Sequence, residues 1–517
     1  MKEFIRYLLL FVLVISLAAC SPGKSTEDLP ENKPDISENS VLTINIYRPP
    51  TPNINIYEHL DEWKQTMMDV YGIDIKIHNI SPMYQYEITN ASYYPERIRK
   101  GDIKGIIEIK QWEIQNLVEL KNEGLILPLD DFLAENQVYQ KLPGAMKRAF
   151  VMPDGKTWAL ATSSPFGLYS RKLRKKWVDN LGLQLPGTLD ELYELTRAFV
   201  YEDPNGNGLN DEHGMDIDLR RGARSFVDIF LANSCYLSNN TNSSIAFDYE
   251  TGAYEDAMLK PGMKKALEYI KALNDNGLMV KNNSWDFLQN ENSGNFMSLS
   301  INTDYRLIDI NDWYEIYTIS ENDISIMGLR PYKLFVMTVN TENPKGTINT
   351  FVNTFLSDIR GLANGNYGIE GKSYTLEDNV LTCKFGEDGS DLSRYIADNV
   401  SLTHFNYNII IEEGITLIDP QWTDISIPNA IRETKLYNDF YNEGQLFFDS
   451  DFMLYGDVKN INDRFNDGFR EFIQNIDNAG VGDFIDNYIN NAKVSGWQEI
   501  LDEINTEAGK IASYRYN

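Results

Sequence analysis

The chain is poor in the residues that usually announce chemistry. Its 517 residues include three cysteines and four histidines. So few cysteines exclude a disulfide-built scaffold. The histidines, scattered at His59, His78, His213 and His404, leave no histidine-rich metal centre. Positive charge is short as well: 47 Lys and Arg stand against 76 Asp and Glu, a formal net charge of −29. That balance disfavours nucleic acid and polyanionic partners in general, and its plain reading is solubility. No H-E-x-x-H, G-x-S-x-G, P-loop or G-x-G-x-x-G pattern occurs. Carboxylates are too abundant for sequence to single out a hydrolytic pair, which is defined in space. Nothing positive therefore points to an enzyme. Internal repeats are absent too.

Long apolar runs are also missing, and the one short run is informative. Lys2 and Arg6 precede an apolar stretch from Tyr7 to Leu17, followed by Leu17-Ala18-Ala19-Cys20. A spanning helix needs about 20 apolar residues, so this run reads as a secretory signal. A cysteine directly after small residues fits the lipobox of bacterial lipoproteins. Residues 1–19 are thus expected to be removed, leaving Cys20 as the lipid-modified (palmitate-bearing) N-terminus. Ser21 to Ser40, rich in Pro, Ser, Glu and Asn, cannot bury enough surface to order itself. It reads as a tether with a reach of roughly 25 Å, placing the protein on the outer face of the cell membrane, anchored but not spanning. Cys235 and Cys383 could pair outside the cytoplasm, although two cysteines in so long a chain are more simply read as buried.

The body opens with strand–helix–strand alternation. Leu42, Ile44 and Ile46 alternate; Leu60, Trp63, Met67 and Tyr71 follow at helical spacing; Ile73, Ile75 and Ile77 alternate again; Gly105 to Ile109 is a short apolar strand. That order predicts an open, largely parallel α/β sheet. Further on, Thr188 and Glu191 form a capping box for a helix with Leu192, Leu195 and Phe199 on one face. Ala266, Ile270 and Leu273 line another helix stopped by Gly277. Phe465, Phe469, Phe472 and Ile476 make a late core stripe.

After the capped helix comes DPNGNGLNDE, residues 203–212. Hard cations want six to eight oxygens, and alternating Asp and Asn before a glycine supply them. Asp203, Asn205 and Asn207 take the first, third and fifth places, Leu209 gives a carbonyl at the seventh, and Asp211 stands at the ninth. Gly214 occupies the twelfth place, where an EF-hand carries Glu, so this is not an EF-hand; Glu212 would close the shell from two places earlier. The expected ion is calcium, with a structural task. His213 is a bystander, since imidazole suits softer metals.

Together these features resemble the family 1 extracellular solute-binding proteins of ABC importers, and within them the LplA-like lipoproteins and alginate-oligosaccharide-binding proteins. Glu123-Gly-Leu-Ile-Leu-Pro-Leu-Asp130 resembles an "EGLIxPLD" element, and Met152 to Leu160 (MPDGKTWAL) a "PDGKxYAL" strand. Tyr169 to Thr188 resembles the run leading into the capped helix, and Gly368 to Tyr374 resembles "GIEGKHY" with Ser373 in place of His. The resemblance extends to about residue 380; residues 220–330 and 385–460 match little. It implies a two-lobed, type II periplasmic-binding-protein-like α/β fold with crossing hinge strands, a helix-rich C-terminal region and a ligand cleft between the lobes. The expected lobes are 41–164 with about 335–400, and 165–334 with about 401–517, the latter carrying the calcium loop. The implied protein is a monomer serving ABC permease subunits.

A sugar cleft needs flat aromatic faces and planar polar groups. Trp112, Trp285, Trp313 and Trp422 lie in polar, non-periodic surroundings, and Phe166 stands at the expected first crossing; these five are the candidate ligand residues. Trp158 and Trp177 read as packing. Arg220, Arg221 and Arg224 form a basic cluster, better read as a solvated face than as an acid-sugar site. The leading expectation is a protein that captures an oligosaccharide for an ABC permease. Alternatives are a peptide or glycolipid binder and, from another class, a surface glycoside hydrolase or adhesin.

Overall fold

The computed structural model describes residues 41–512 apart from 49–54, 80–92, 111–113, 152–154, 163–168, 219–226, 228–229, 232–234, 238–243, 249–250, 252, 283–292, 300–311, 317–325, 329–332, 385–405, 420–425, 444–445, 449–467, 479 and 495. The signal segment, Cys20 and the tether lie outside the described residues.

Strand β1 (Leu42–Arg48) buries Leu42, Ile44 and Ile46, as their alternation predicts. Helix α1 (Asn55–Tyr71) returns the chain to β2 (Ile73–Asn79), which pairs parallel to β1. Leu60, Trp63, Met67 and Tyr71 are the buried face of α1. Helix α2 (Tyr93–Lys100) then leads to β3 (Ile106–Lys110), parallel to β1 on its other side. The interior residue Asn45 is satisfied by donating to the Lys104 and Ile106 carbonyls at 2.8 and 3.1 Å. Gly105 enters β3 at φ +82°, and a Cβ there would lie 2.3 Å from the Thr43 carbonyl oxygen, so only glycine fits.

The chain leaves this sheet at Leu160 and enters a second with β4 (Tyr169–Arg174). There follow β5 (His213–Asp218), a small antiparallel sheet of β6 (Cys235–Leu237), β7 (Ile245–Asp248) and β8 (Tyr254–Asp256), then β9 (Met279–Asn282), β10 (Ser293–Leu299) and β11 (Trp313–Ile316). The five-stranded order is β11-β4-β10-β5-β9. Strands β5, β9 and β10 run parallel, and β4 runs against them, so β11 shares the direction of β10. The capping box at Thr188 and Glu191 forms with both hydrogen bonds, starting α3 (Leu189–Tyr201). Trp177 and Phe199 meet edge-to-face at 5.4 Å in this second core. Ala266, Ile270, Leu273, Phe472 and Ile476 join the same core, as their spacing predicts; Phe465 lies outside the described residues.

A short strand, β12 (Ile326–Gly328), carries the chain back to β13 (Lys333–Met337), which completes the first sheet in the order β13-β3-β1-β2. A third cluster follows, built from a helix at Ile359–Tyr367, β14 (Tyr374–Glu377), β15 (Val380–Cys383), a helix at Tyr407–Glu412 and β16 (Thr416–Ile418). Cys383 is a free thiol inside it; burial pushes its pKa up, with the Asp419 charge adding to the effect. Helix α4 (Ser426–Asn442) buries Ala430 in this cluster and Tyr437 in the first core. Buried residues between 407 and 442 thus belong to the first and third cores. Strand β17 (Leu446–Phe448) then pairs parallel with β12, and the chain ends in the second core with helices at Gly468–Asn475, Val481–Val494 and Trp497–Ala512.

Two polar devices join these parts. Lys172 of β4 and Glu315 of β11 face each other in register at 3.2 Å, both side chains almost fully buried, and Arg432 of α4 binds the same carboxylate. Asn505 of the last helix donates to the Tyr254 carbonyl and accepts from its N–H, both at 2.7 Å, so its amide closes the open edge of β8. Nearby, buried Asp256 accepts from Met258 N–H at 3.0 Å and from the Tyr488 hydroxyl at 2.9 Å.

Removing Glu315 leaves the Lys172 ammonium buried without its carboxylate. Glu315→Ala is expected to lower unfolding free energy by about 3–5 kcal/mol in urea denaturation; a loss below about 1 kcal/mol would show the pair to be incidental. Asp256 gives a pH signature. Burial raises its pKa to about 6 from 3.8, against the opposing pull of the Met258 and Tyr488 hydrogen bonds. The folded state then holds this proton more tightly than the unfolded chain. Its contribution is complete below the unfolded pKa and is lost as pH rises through about 6. Asp256→Asn should flatten the stability–pH profile in that window, and an unchanged profile would assign the slope elsewhere.

Candidate functional site

Parallel strands finish on one edge, and in α/β sheets ligands bind outside that carboxyl edge, where neighbouring strands lead off in opposite directions. In the first sheet that point lies between β1 and β3, because β1 sits between its two successors. Strand β13 runs antiparallel to β3 and begins there, Lys333 standing opposite Lys110. In the second sheet β4 begins at the carboxyl edge of β10, Tyr169 opposite Leu299. The crossings therefore join carboxyl edge to carboxyl edge. Leu160 bonds Phe335 in both directions, at 2.9 and 2.7 Å, eight residues of chain before Tyr169. The return runs from Ile316, the carboxyl end of β11, through β12 to Lys333. β17 makes the third passage beside β12.

The candidate aromatics distribute unequally about this arrangement. Trp112 follows the last residue of β3, Phe166 precedes the first of β4, and Trp285 follows the last of β9; Trp422 lies between β16 and α4. All four lie outside the described residues, as do Arg220, Arg221 and Arg224. Trp313 is at the opposite edge: it opens β11 opposite Arg174, the last residue of β4. It is 6% exposed, with the Arg174 guanidinium 4.4 Å from its ring centroid. The structure gives this ring a packing position in place of an open face. Trp177 is buried, and the Lys121 ammonium lies 5.6 Å over Trp158.

The Asp/Asn loop is described throughout. Asp203 takes φ +44°, and Gly206 and Gly208 take +73° and +74°, so the backbone coils tightly after α3. The Asp203 carboxylate accepts from Asn207 and Gly208 N–H at 3.1 and 3.0 Å. Asn205 Oδ1 accepts from Asn207 N–H at 2.9 Å, and Asn207 Oδ1 from Leu209 N–H at 2.7 Å. The Asn207 amide donates to Asp211 at 3.1 Å. The Leu209 side chain points to solvent, leaving only its backbone as a donor. Glu212 differs: it is 5% exposed, and neither carboxylate oxygen has a hydrogen-bond partner. A buried carboxylate with no donor is costly unless a cation meets it. Among the described residues no three His, Cys, Asp or Glu converge on one point. A cation here would thus depend on Asn and backbone oxygens beside the carboxylates, as the motif implies. Sequence reasoning missed Asn180, whose amide donates to the Pro204 carbonyl at 2.8 Å and ties the loop to the helix at Lys175–Leu181. Twenty-four residues away, it gives no local signal.

No family model matches the chain. A solved extracellular solute-binding protein from Bifidobacterium longum subsp. infantis superposes with a TM-score of 0.57 at 16% identity, covering 92% of this chain and 98% of its own. The chain shares that protein's fold. A second solved solute-binding protein, described as HMO-binding and ABC-transporter associated, from Bifidobacterium longum infantis, gives 0.56 at 17% identity over 92% of this chain and 98% of its own. By sequence, the polygalacturonan/rhamnogalacturonan-binding protein YtcQ of Bacillus subtilis is 24% identical over 283 residues, which is 53% of this chain. The chain spans about half the length of this curated relative, 51%. These solute-binding proteins are the group that the sequence motifs resemble.

The loop yields a two-armed test. With calcium present, Glu212→Gln should lower the melting temperature; with chelator present it should leave it unchanged or raise it, because the buried charge is gone. Equal destabilisation in both arms would remove the cation from the loop.

Proposed function

We propose that this chain captures an oligosaccharide between its two sheets and delivers it to an ABC permease. The observation that carries the reading is topological: three passages of chain join the carboxyl edges of two α/β sheets, so the place where such sheets bind ligands is also where they can swing together. Closure around a ligand would supply affinity and a docking signal at once. Trp112, Phe166 and Trp285 adjoin these edges in sequence and are the rings proposed for stacking. The solved neighbour of stated ligand and the sequence relative are both described as binding carbohydrates, which favours a sugar over a peptide or glycolipid. No residue is assigned to catalysis; the function is binding alone.

The lipobox ending at Cys20 would hold the protein to the outer face of the membrane, beside its permease, and residues 21–40 would let it swing. Calcium, held by Asp203, Asn205, Asn207, Asp211, Glu212 and the Leu209 carbonyl, would brace the turn after α3. It supplies charge compensation for Glu212 and takes no part in ligand chemistry. The protein would act as a monomer.

A thermal-shift screen tests the reading. A ligand at 100 times its Kd adds about 2.7 kcal/mol of stability, a clear upward shift in melting temperature. Oligosaccharides are expected to give it. Stabilisation by peptides alone would overturn the carbohydrate reading, and hydrolysis of any glycan by purified protein would overturn the binding one.

A further inference from the structure

Glu315 is held from two sides by chain that belongs to different cores. The register of β4 and β11 sets Leu173 opposite Tyr314 and Lys172 opposite Glu315. Side chains alternate across a sheet. Leu173, Tyr314 and Ile316 belong to the second core or pack against it, so Lys172 and Glu315 share the other face. There the Lys172 ammonium lies 3.2 Å from Glu315 Oε1, with 2% and 3% of the two side chains exposed. Arg432 donates to Oε2 of the same carboxylate from outside the sheet. Its helix, α4, is committed elsewhere: Ala430 and Ile431 pack in the third cluster, and Leu436, Tyr437 and Phe440 in the first core. One hydrogen-bonded ion pair thus runs from the second sheet to a helix of the other two cores. Glu315 stands one residue before the end of β11, where the return to β12 departs, and α4 leads on to β17 beside β12. Both partners are therefore anchored next to the passages between the sheets.

We propose that the Glu315–Arg432 pair is a latch: it holds the two sheets in the relation seen here, and its parting lets them swing about β12 and β17. The two ends of the pair differ in a way that suits this task. The Glu315 side chain is buried, whereas that of Arg432 is 46% exposed. When Arg432 withdraws, its guanidinium passes into water that it already meets. Glu315 keeps the Lys172 ammonium within its own sheet, so parting strands no carboxylate in the interior. A contact between permanently docked parts gains from burial at both ends; one made to part needs an end that solvent can take over. The latch goes beyond the capture reading, because it concerns the swing itself and is independent of which solute enters.

Amide hydrogen exchange on the full chain without ligand, read by mass spectrometry, tests the latch. Arg432→Gln removes the tie and leaves the Lys172–Glu315 pair in place. Exchange in peptides covering β12 and β17 is expected to quicken by roughly threefold or more. Peptides covering β1, β2 and α3 should keep the parent's rates. Raising NaCl to about 1 M should quicken β12 and β17 in the parent and add little in the variant, since salt screens the exposed end of the pair. Arg432→Lys keeps the charge without the planar fork and should fall between the two. Unchanged exchange in β12 and β17 overturns the latch. So does a quickening spread evenly over both cores, which would make Arg432 an ordinary stabilising contact. No ligand enters the measurement, so either of those results leaves oligosaccharide capture standing.

Discussion

Parallel pairing of β1 with strands on both its sides is the constraint on which the rest of the molecule depends. A parallel neighbour cannot be reached by a tight turn, so α1 and α2 must carry the chain back each time. Those returns cover the sheet and leave β1, β2 and β3 ending on the same edge. β13 then joins β3 antiparallel, so its first residue stands at that edge. The second sheet repeats the logic with β4 as its reversed strand. The passages between them therefore have one place to go, and the cleft location is a consequence of strand direction and not of any individual side chain.

Local pattern made much of this legible. Alternation found β1 and β2, helical spacing found the buried face of α1, and Thr188 with Glu191 announced α3 down to its two hydrogen bonds. What sequence could not show was which strands meet. Lys333 and Lys110 are separated by more than two hundred residues, and each reads alone as an ordinary polar strand end. Their pairing exists only in the register. The packing of residues 407–442 is hidden from sequence for a related reason. The faces of α4 look alike to a periodicity argument, whereas the structure divides them between two cores, with Ala430 in one and Tyr437 in the other. Trp313 opens β11 beneath Arg174, a placement that its polar neighbours Asn311 and Asp312 do not reveal.

The calcium-type loop shows how a motif and an orphaned group inform each other. The spacing of Asp203, Asn205 and Asn207 nominates oxygen donors, yet most of those donors are engaged by the loop's own N–H groups. Glu212 is the member the loop leaves unsatisfied. Its burial is what turns a turn-forming sequence into one with a chemical deficit. Asn180 then fixes where that deficit sits, by tying the loop back to the helix before α3.

The clamp of Asn505 on β8 bears on the order in which the protein can be assembled. That edge is closed by a residue from the last turns of the chain, and the second core likewise waits for Phe472 and Ile476. The first sheet waits for β13, while β17 cannot pair with β12 until α4 is in place. Contacts so distant in sequence fold slowly. During synthesis β1, β2 and β3 can pair early, but the β3 edge stays open until β13 arrives. Each core is thus closed by residues made long after those that begin it.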